Sequence, residues 1–371
     1  DQSSAASDVY KRQIQSQWLG LGDKVVAFEK GFQLKNNLSS FLMVDSGSNA
    51  LLLAVSLLNL PPKSEIILPS YTWVSCANSI VLAGHKPIFC DVDDSSMNVT
   101  KELIKAKMTD KTAAIMIVHY AGLPVEMDEI ISLGLPIIED AAHAVCSTYK
   151  GRPCGNISDI GIFSFDSVKN LAAGEGGGIS TRDGNLIEVA KKLRYCGIEK
   201  SGFQNATDDT KLSELWWEYQ IAKPFIKMLP NNVSASIALA QLDKIDQLQA
   251  RRETIWNFYQ SEFTNNPNII TPQDARDGEK HSYFTYCIKV NKRNELARYL
   301  LEKNIYTTLR YHPLHLYPIY NQDNIKLTNT EILNKTALNI PLHPRLSDDD
   351  ISYVVSLSLI HISEPTRRTI I

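Results

Sequence analysis

Lys169 stands between an apolar run, FSF at residues 163–165, and a glycine-rich run, GEGGG at residues 174–178. A lysine in this position can form an imine with a carbonyl compound if burial or a neighbouring cation lowers its pKa, because only the neutral amine is a nucleophile. The other interpretation is a solvated lysine at a strand end followed by a turn, which is the commoner situation. The other polar residues of the sequence have to decide between an imine-forming lysine and a solvated one.

A second chemical group is Asp140, the last residue of the run LPIIED at residues 135–140. A carboxylate that leaves an apolar strand for the interior needs a partner, and a protonated pyridine nitrogen is a suitable one. The alternative is that Asp140 caps the alanine-rich helix that the following residues predict.

The stretch SGSNA at residues 46–50 precedes an apolar helical pattern and could bind an anion. Gly47 allows a close approach, and Ser48 and Asn49 offer donors at a helix N-terminus, where backbone amides point outward. Ser164, in an apolar strand, could add one more hydroxyl. Each has a plainer interpretation, since Ser48 and Asn49 could be an ordinary helix cap and Ser164 could be hydrogen-bonded within the sheet.

Two residues with rings complete the set. Trp73 follows PSYT at the start of a predicted helix, where its indole could cover one face of a flat ligand. A tryptophan in the core is the commoner arrangement. His143 could hydrogen-bond an oxygen of such a ligand, or it could be a helix histidine whose nitrogens are satisfied in the core.

These groups together suit pyridoxal 5′-phosphate (PLP). This cofactor needs a lysine for the imine, a carboxylate at the pyridine nitrogen, donors for the phosphate and a flat contact on the ring. Other motifs are missing, since no GxGxxG follows a strand and neither GxxxxGK[ST] nor GxSxG occurs. The six cysteines lack metal-ligand spacing, which argues against a zinc site and suits a reducing cytosol.

Strand and helix patterns alternate from about residue 24 to residue 195, which predicts an α/β fold with a mostly parallel sheet covered on both faces. In such sheets ligands bind at the carboxyl ends of strands. Residues 69–73, 119–122, 139–143 and 165–169 are therefore expected to converge on one cleft.

The rest of the chain suggests a second domain. We predict a large PLP-binding domain over residues 14–245 and a small C-terminal α+β domain over residues 246–356. An amphipathic pattern at residues 234–263 predicts one long helix that links them, and the irregular stretch 198–230 is long enough to be functional or interfacial. Residues 1–13 and 357–371 change composition abruptly and are predicted to be non-native tails.

The overall composition excludes several classes of partner. A net charge of −3 over 371 residues and a pI of about 6.3 provide no basic surface for nucleic acid or an anionic membrane. No apolar run reaches the length of about 18 residues that a membrane span needs. We expect a cytoplasmic protein that binds small molecules.

The chain resembles the sugar aminotransferases of the DegT/DnrJ/StrS family from about Trp18 to Val355. The resemblance is carried by ordered motifs that include SGSNALLLA, VHYAGLPVEMDEI, PIIEDAAHAVCSTYKGRPCG, DIGIFSFDSVKNLAAGEGGGIST and IPLHPRLSDDDI. It implies a fold-type I transferase, like aspartate aminotransferase, that works as a homodimer with PLP. It also implies amino transfer from glutamate to a nucleotide-linked keto deoxysugar, in deoxyamino-sugar biosynthesis such as that of lipopolysaccharide O-antigen.

By position, the resemblance gives Lys169 the role of imine lysine and general acid/base, and Asp140 that of partner to the ring nitrogen. It places Trp73 on the pyridine face and His143 on the side of the 3′-oxygen. The implied phosphate ligands are Ser48, Asn49 and Ser164.

Three further candidates come from two other segments, of which the first departs from the family pattern and the second matches a substrate-side segment of the family. The segment KMLPNN at residues 227–232 departs from the family's usual dimer contact, and Asn231 and Asn232 are candidates for a cross-subunit contact with the phosphate, or else helix caps. In RYHPLH at residues 310–315, His312 is the substrate-side candidate, or else a loop histidine.

Two other functions stay open. One is a PLP-dependent sugar dehydratase on the same scaffold, although family members of that kind carry histidine at the lysine position. The other is a non-catalytic regulatory or binding protein, although such a protein has no use for both Lys169 and Asp140.

Overall fold

The structure is a computed structural model, and it describes residues 18–199, 217–320 and 325–363. The strands are β1 (Leu42–Val44), β2 (Glu65–Pro69), β3 (Lys86–Cys90), β4 (Thr112–Val118), β5 (Ile137–Asp140), β6 (Thr148–Tyr149), β7 (Arg152–Pro153), β8 (Ile160–Ser164), β9 (Gly177–Thr181), β10 (Tyr286–Lys289) and β11 (Ala337–Ile340).

The α-helices alternate with these strands in the first half of the chain. They are α1 (Asp23–Lys35), α2 (Gly47–Leu57), α3 (Val74–Leu82), α4 (Lys101–Lys105), α5 (Met127–Ile131), α6 (Gly184–Arg194), α7 (Asn232–Leu242), α8 (Ile245–Phe263), α9 (Arg293–Glu302), α10 (Thr328–Thr336) and α11 (Asp348–Ser363).

A seven-stranded sheet in the order β1-β9-β8-β5-β4-β2-β3 forms the centre of the molecule. The run β3-β2-β4-β5-β8 is parallel, and β9 is antiparallel to both of its neighbours. Strands β2, β5, β8 and β9 are buried along their whole length, as expected for a sheet covered on both faces. The predicted α/β class with a mostly parallel sheet is confirmed.

Alternation of side chains along the strands divides the interior into two cores. Ile115 and Ile117 of β4 join the hydrophobic cluster that contains α1, whereas Ala114 and Met116 join the cluster that contains α2 and α3. Successive strand residues point to opposite faces, so the two clusters lie on the two faces of the sheet. A third cluster is built from residues of α8, α9, α11, β10 and β11.

The chain departs from the single long helix predicted at residues 234–263. It forms α7 and α8 instead, interrupted at Asp243 and Lys244. Leu242 and Ile245 on either side of the break are both buried in the α1 cluster, whereas Trp256 of α8 belongs to the third cluster. The apolar pattern therefore continues across the break although the helix is interrupted there.

The predicted domain boundaries and the two predicted non-native tails stay predictions. Helix α11 extends to Ser363 and so includes the first residues of the segment predicted as a C-terminal tail. The predicted tail at residues 1–13 lies outside the described residues, as does most of the first half of the predicted loop 198–230.

Candidate active site

A cleft of about 270 Å³ opens at the carboxyl ends of β4, β5 and β8. Its walls come from the N-terminal ends of α2 and α3, the turns after β5 and β8, and residues 310–311 of the C-terminal part. Six of the seven predicted cofactor residues line it: Ser48, Trp73, Asp140, His143, Ser164 and Lys169.

Lys169 lies in a turn after β8, where its amide donates to the carbonyl of Asp166 at 2.9 Å. Burial, with a smaller effect from the positive charge of Arg310, lowers the pKa of Lys169 to about 8 against the opposing effect of Asp140. The ammonium group lies 5.0 Å from the ring centroid of Phe284. A lysine with this pKa is partly neutral near pH 7 to 8 and can act as a nucleophile or a base.

Asp140 ends β5 and is buried. Its Oδ1 accepts from the amide of Ala142 at 2.9 Å, and its Oδ2 accepts from the thiol of Cys76 at 3.1 Å. Burial raises the pKa of Cys76 well above its ordinary value, so this residue is a protonated thiol that donates. Residues 141–147 form turns, so the alternative of Asp140 as a helix cap is wrong.

The N-terminus of α2 forms one end of the cleft. Ser46 caps the helix by accepting from the amide of Asn49 at 3.2 Å. The hydroxyl of Ser48 lies 2.7 Å from that of Ser75, on the first turn of α3, and both line the cleft. Asn49 itself donates its carboxamide to Asp45 at 2.8 Å and does not line the cleft.

Glycines allow α2 to sit directly on β8 and β9. A Cβ on Gly47 would lie 2.8 Å from Cβ of Ser164, and one on Gly177 would lie 2.4 Å from the backbone carbonyl of Ser46. Both positions therefore need glycine for steric reasons. Within the run GEGGG, Gly177 therefore serves the close packing of β9 against α2.

Trp73 is 54% exposed and stands at the N-cap position of α3. It is therefore not a core tryptophan. Its indole lies 5.7 Å from the ring of Tyr311, and both line the cleft. The position is suitable for contact with a planar ligand.

His143 is buried and lies in a turn, not in a helix. Its ring stacks on Phe284 at 4.0 Å, and Nε2 lies 2.9 Å from the hydroxyl of Tyr311. Burial first, and then the charges of Lys169 and Arg310, lower the pKa of His143 well below its ordinary value. The ring is neutral, and its Nδ1 is buried without a hydrogen-bond partner among the described residues.

The three remaining candidates do not line the cleft. His312 is exposed and packs edge-on against Tyr317. Asn231 caps α7 by accepting from the amide of Ser234 at 2.9 Å. Asn232 accepts from the amides at the start of α1 and donates to the carbonyl of Trp18 at 3.1 Å. The cap interpretation of both asparagines fits this geometry, and their cross-subunit role stays a prediction.

The predicted convergence of strand ends holds for β2, β5 and β8 but is wrong for residues 119–122 after β4, none of which lines the cleft. Val118 lines the cleft, whereas His119 does not. The reason is that Nε2 of His119 lies 3.1 Å from Glu139, and the amide of Val125 donates to its Nδ1 at 3.1 Å. His119 and Glu139 form a buried structural pair.

The structure adds cleft residues that sequence reasoning missed. Arg310 and Tyr311 line the cleft beside Lys169, although only His312 was expected from the motif RYHPLH. Ser75 faces Ser48, and Cys76 reaches Asp140 from α3. Ser75 and Cys76 could have been found from the sequence, because they lie in the first turn of the helix that Trp73 begins.

The donor set of the cleft fits PLP. The α2 amides with Ser48 and Ser164 are suitable donors for a phosphate, and Asp140 provides a buried carboxylate. A partly neutral lysine, Lys169, lines the same cleft, and the buried Nδ1 of His143 lacks a partner that a ligand oxygen can provide. In the described ranges no cluster of three or more His, Cys, Asp or Glu residues could hold a metal ion.

The model of the DegT/DnrJ/EryC1/StrS aminotransferase family matches residues 2–357. The chain belongs to this family. The aminotransferase class and the fold-type I scaffold predicted from the sequence are therefore confirmed. No helix among the residues that the structure describes has the length and apolar character to cross a membrane.

Two relatives and two solved structures illustrate the similarity. A dTDP-4-dehydro-2,3,6-trideoxy-D-glucose 4-aminotransferase from Saccharopolyspora spinosa is 35% identical over 91% of this chain and 89% of its own length. The spore coat polysaccharide biosynthesis protein SpsC of Bacillus subtilis (strain 168) is 34% identical over 92% of this chain and 90% of its own length.

Among solved structures, the aminotransferase TlmJ from Streptoalloteichus hindustanus superimposes with a TM-score of 0.90 at 31% identity, over 98% of this chain and 97% of its own. The PMP-form of the sugar aminotransferase Spr1654 from Streptococcus pneumoniae has a TM-score of 0.88 at 25% identity, and the match covers 96% of each chain.

Proposed function

We propose that this protein transfers the amino group of glutamate to a keto sugar carried on a nucleotide, with PLP as its cofactor. One observation carries the proposal: Lys169, with its pKa lowered to about 8, and the buried carboxylate of Asp140 line the same cleft. A protein that needed only the fold would gain nothing from this pair. The 35% identical relative supports the sugar, because its name describes amino transfer to a dTDP-linked dehydro sugar.

PLP, when bound, supplies an electron-withdrawing ring that stabilises the negative charge left on a carbon after its proton is removed. Asp140 would hold the ring nitrogen protonated from the floor of the cleft. Ser48, Ser164 and the first amides of α2 would hold the phosphate, since a helix N-terminus favours an anion. Trp73 would cover one face of the ring.

Lys169 would move the protons of the reaction. In its neutral form it takes the proton from the α-carbon of glutamate, and in its charged form it returns a proton to the carbon that the sugar contributes. A pKa near the working pH makes both steps accessible to one group. The neutral His143, fixed by its stack on Phe284, adds a hydrogen-bonding nitrogen at the side of the cleft without adding charge.

We also propose a homodimer in the cytoplasm that serves the synthesis of a deoxyamino sugar for a surface polysaccharide such as an O-antigen. The segment after residue 216 exposes large apolar side chains, with Trp217 and Tyr219 each 55% exposed and Ile221 59% exposed. A second copy of the chain is a suitable cover for such a surface. The name of SpsC supports the polysaccharide context.

Borohydride trapping tests the assignment of Lys169. Purified protein is incubated with PLP, reduced and digested, and the peptide that carries the cofactor is identified by mass spectrometry. We expect the peptide that contains Lys169, and no trapped peptide from the Lys169→Ala variant. Labelling of another lysine in the wild-type protein, with Lys169 unmodified, would contradict the assignment.

Product mass separates amino transfer from the dehydratase alternative. After incubation with glutamate and a dTDP-linked 4-keto-6-deoxy sugar, an amine in place of the keto oxygen supports amino transfer. Loss of water from the sugar without gain of nitrogen supports the dehydratase.

A further inference from the structure

Arg310 is a fixed cation of the cleft whose guanidinium contacts the hydroxyl of Tyr311 and has further N–H donors for a ligand. Its backbone is held on both sides, because its amide donates to Oδ1 of Asn339 at 3.0 Å and its carbonyl accepts from the hydroxyl of Tyr120. Its side chain lines the cleft and makes no ion pair within the described ranges. By contrast, the buried Arg194 pairs with Glu29 at 2.7 Å.

Arg310 shares one aromatic surface with Lys169. The guanidinium carbon of Arg310 and the amine of Lys169 each lie 5.0 Å from the ring centroid of Phe284. The two cationic groups are therefore no more than about 10 Å apart, since both distances end at the same point. Phe284 is itself buried and stacked on His143, so its position is well defined.

The anions of the cleft do not neutralise Arg310. Asp140 accepts from Cys76 and from a backbone amide, and Asp166 accepts from the amide of Val168 at 3.0 Å. Glu175 is exposed. The guanidinium lies beside an aromatic floor and has five N–H donors, of which one is directed to the hydroxyl of Tyr311. The remaining donors match the geometry of a carboxylate, which a guanidinium can bind through two parallel hydrogen bonds.

We propose that Arg310 binds a carboxylate of the amino donor and so selects the amino acid that reacts at Lys169. This inference rests on the proposed function, since it names the residue that receives the donor. A carboxylate is attached directly to the carbon from which Lys169 removes the proton, so its receptor has to lie beside the lysine. The diphosphate of a nucleotide sugar is separated from its reacting carbonyl by the sugar ring and is the less suitable partner.

Equilibrium binding to the PLP-loaded protein tests the proposal without turnover. The probes are glutarate, a dicarboxylate that has no amine to react, and dTDP, which presents the diphosphate. The variants are Arg310→Gln and Arg310→Lys, and the matched control is Arg298→Gln, which removes an exposed arginine of α9 outside the cleft.

We expect Arg310→Gln to weaken glutarate binding at least about tenfold, because a charge-assisted pair of hydrogen bonds is lost. Arg310→Lys should keep part of the affinity, since it keeps the charge but loses the planar fork. Arg298→Gln should bind glutarate like the wild type, and dTDP should bind all variants equally. Unchanged glutarate affinity in Arg310→Gln, no saturable glutarate binding to the wild type, or a selective loss of dTDP binding would overturn the proposal.

Single-turnover measurements connect this result to the reaction. The conversion of the cofactor by glutamate should need a higher glutamate concentration in Arg310→Gln, whereas the half-reaction with the keto sugar should keep its concentration dependence. If the wild type binds glutarate through Arg310 but does not aminate a keto sugar, the proposed function fails and the carboxylate site stands. If amination proceeds and Arg310→Gln uses glutamate like the wild type, the carboxylate site fails alone.

Discussion

The thiol of Cys76 donates to Oδ2 of Asp140 at 3.1 Å, between two elements that are 64 residues apart in the chain. The hydroxyl of Thr72 lies 3.2 Å from the same sulfur. These contacts fix the carboxylate from the side of α3, while the amide of Ala142 fixes its other oxygen. Cys76 is thus a positioning residue for Asp140.

Replacement of Cys76 by alanine should loosen Asp140 and weaken the binding of PLP. A lost hydrogen bond to a charged group costs about 1.5–3 kcal/mol, so we expect the dissociation constant of PLP to rise roughly tenfold or more. Cys76→Ser keeps a donor and should stay within a few-fold of the wild type. Fluorescence titration with PLP measures both, and equal affinities for the two variants would contradict this role of the thiol.

Formation of the Lys169 linkage should depend on pH. Only the neutral amine reacts, and the neutral fraction rises as the pH increases through the pKa of Lys169, which burial lowers to about 8. We expect the rate at which PLP becomes borohydride-trappable to rise from pH 6 and to be half-maximal near pH 8. A midpoint near pH 10.5, the ordinary pKa of lysine, would show that burial does not lower the pKa of Lys169.

Loss of the buried charge of Glu139 should destabilise the protein. Its Oε1 accepts from the amides of Ile157 and Ser158, and its Oε2 accepts from the amide of Gly155 and faces His119. Glu139→Gln would turn an NH₂ group toward some of these donors, at a cost of about 2–4 kcal/mol in the free energy of unfolding. Urea unfolding measures the effect.

The surface variant Glu129→Gln is the matched control for Glu139→Gln, because its partner Lys101 is a solvent-accessible lysine, and we expect a change below about 1 kcal/mol. Burial raises the pKa of Glu139, but the bonds from His119 and the amides outweigh burial and lower it below 4.5. A carboxyl with a lowered pKa contributes stability above its unfolded pKa. The difference in the free energy of unfolding between wild type and Glu139→Gln should therefore have its full size above about pH 4.5, and it should shrink as the pH falls below that value.

A methyl group at Gly177 should disturb the end of the cleft that the N-terminus of α2 forms, where we propose that the phosphate binds. The added Cβ would lie 2.4 Å from the backbone carbonyl of Ser46 and 2.5 Å from the amide of Gly47, so β9 and α2 would have to separate. We expect Gly177→Ala to lower the melting temperature by several degrees and to weaken PLP binding. Gly184→Ala, where a Cβ would meet no atom within 4 Å, should leave both unchanged. Equal behaviour of the two variants would contradict the steric role.

Much of this architecture could be predicted from the sequence because the signals are local. The apolar run before Asp140 predicts a buried strand that ends in a carboxylate, and the turn after FSF predicts the place of Lys169. The cap SGSNA predicts the start of α2. Each of these features depends on residues a few positions apart, so periodicity and capping preferences were sufficient.

The rest depends on contacts between distant segments. Arg310 reaches the cleft because its backbone is held by Tyr120 and Asn339, and no pattern around residue 310 encodes those partners. Asn49 lies in the predicted anion-binding stretch, but its carboxamide donates to Asp45, and the residue does not line the cleft. The break at Asp243 is hidden because the residues on both sides of it are apolar and buried.

The most direct test of the central claim is the fate of the glutamate nitrogen. The PLP-loaded protein is incubated with ¹⁵N-labelled glutamate and a dTDP-linked 4-keto-6-deoxy sugar, and the sugar product is analysed by mass spectrometry. We predict an amino sugar that carries ¹⁵N with the wild type and none with Lys169→Ala. A labelled amino sugar from Lys169→Ala at the wild-type rate, or no nitrogen in the product of the wild type, would contradict the claim.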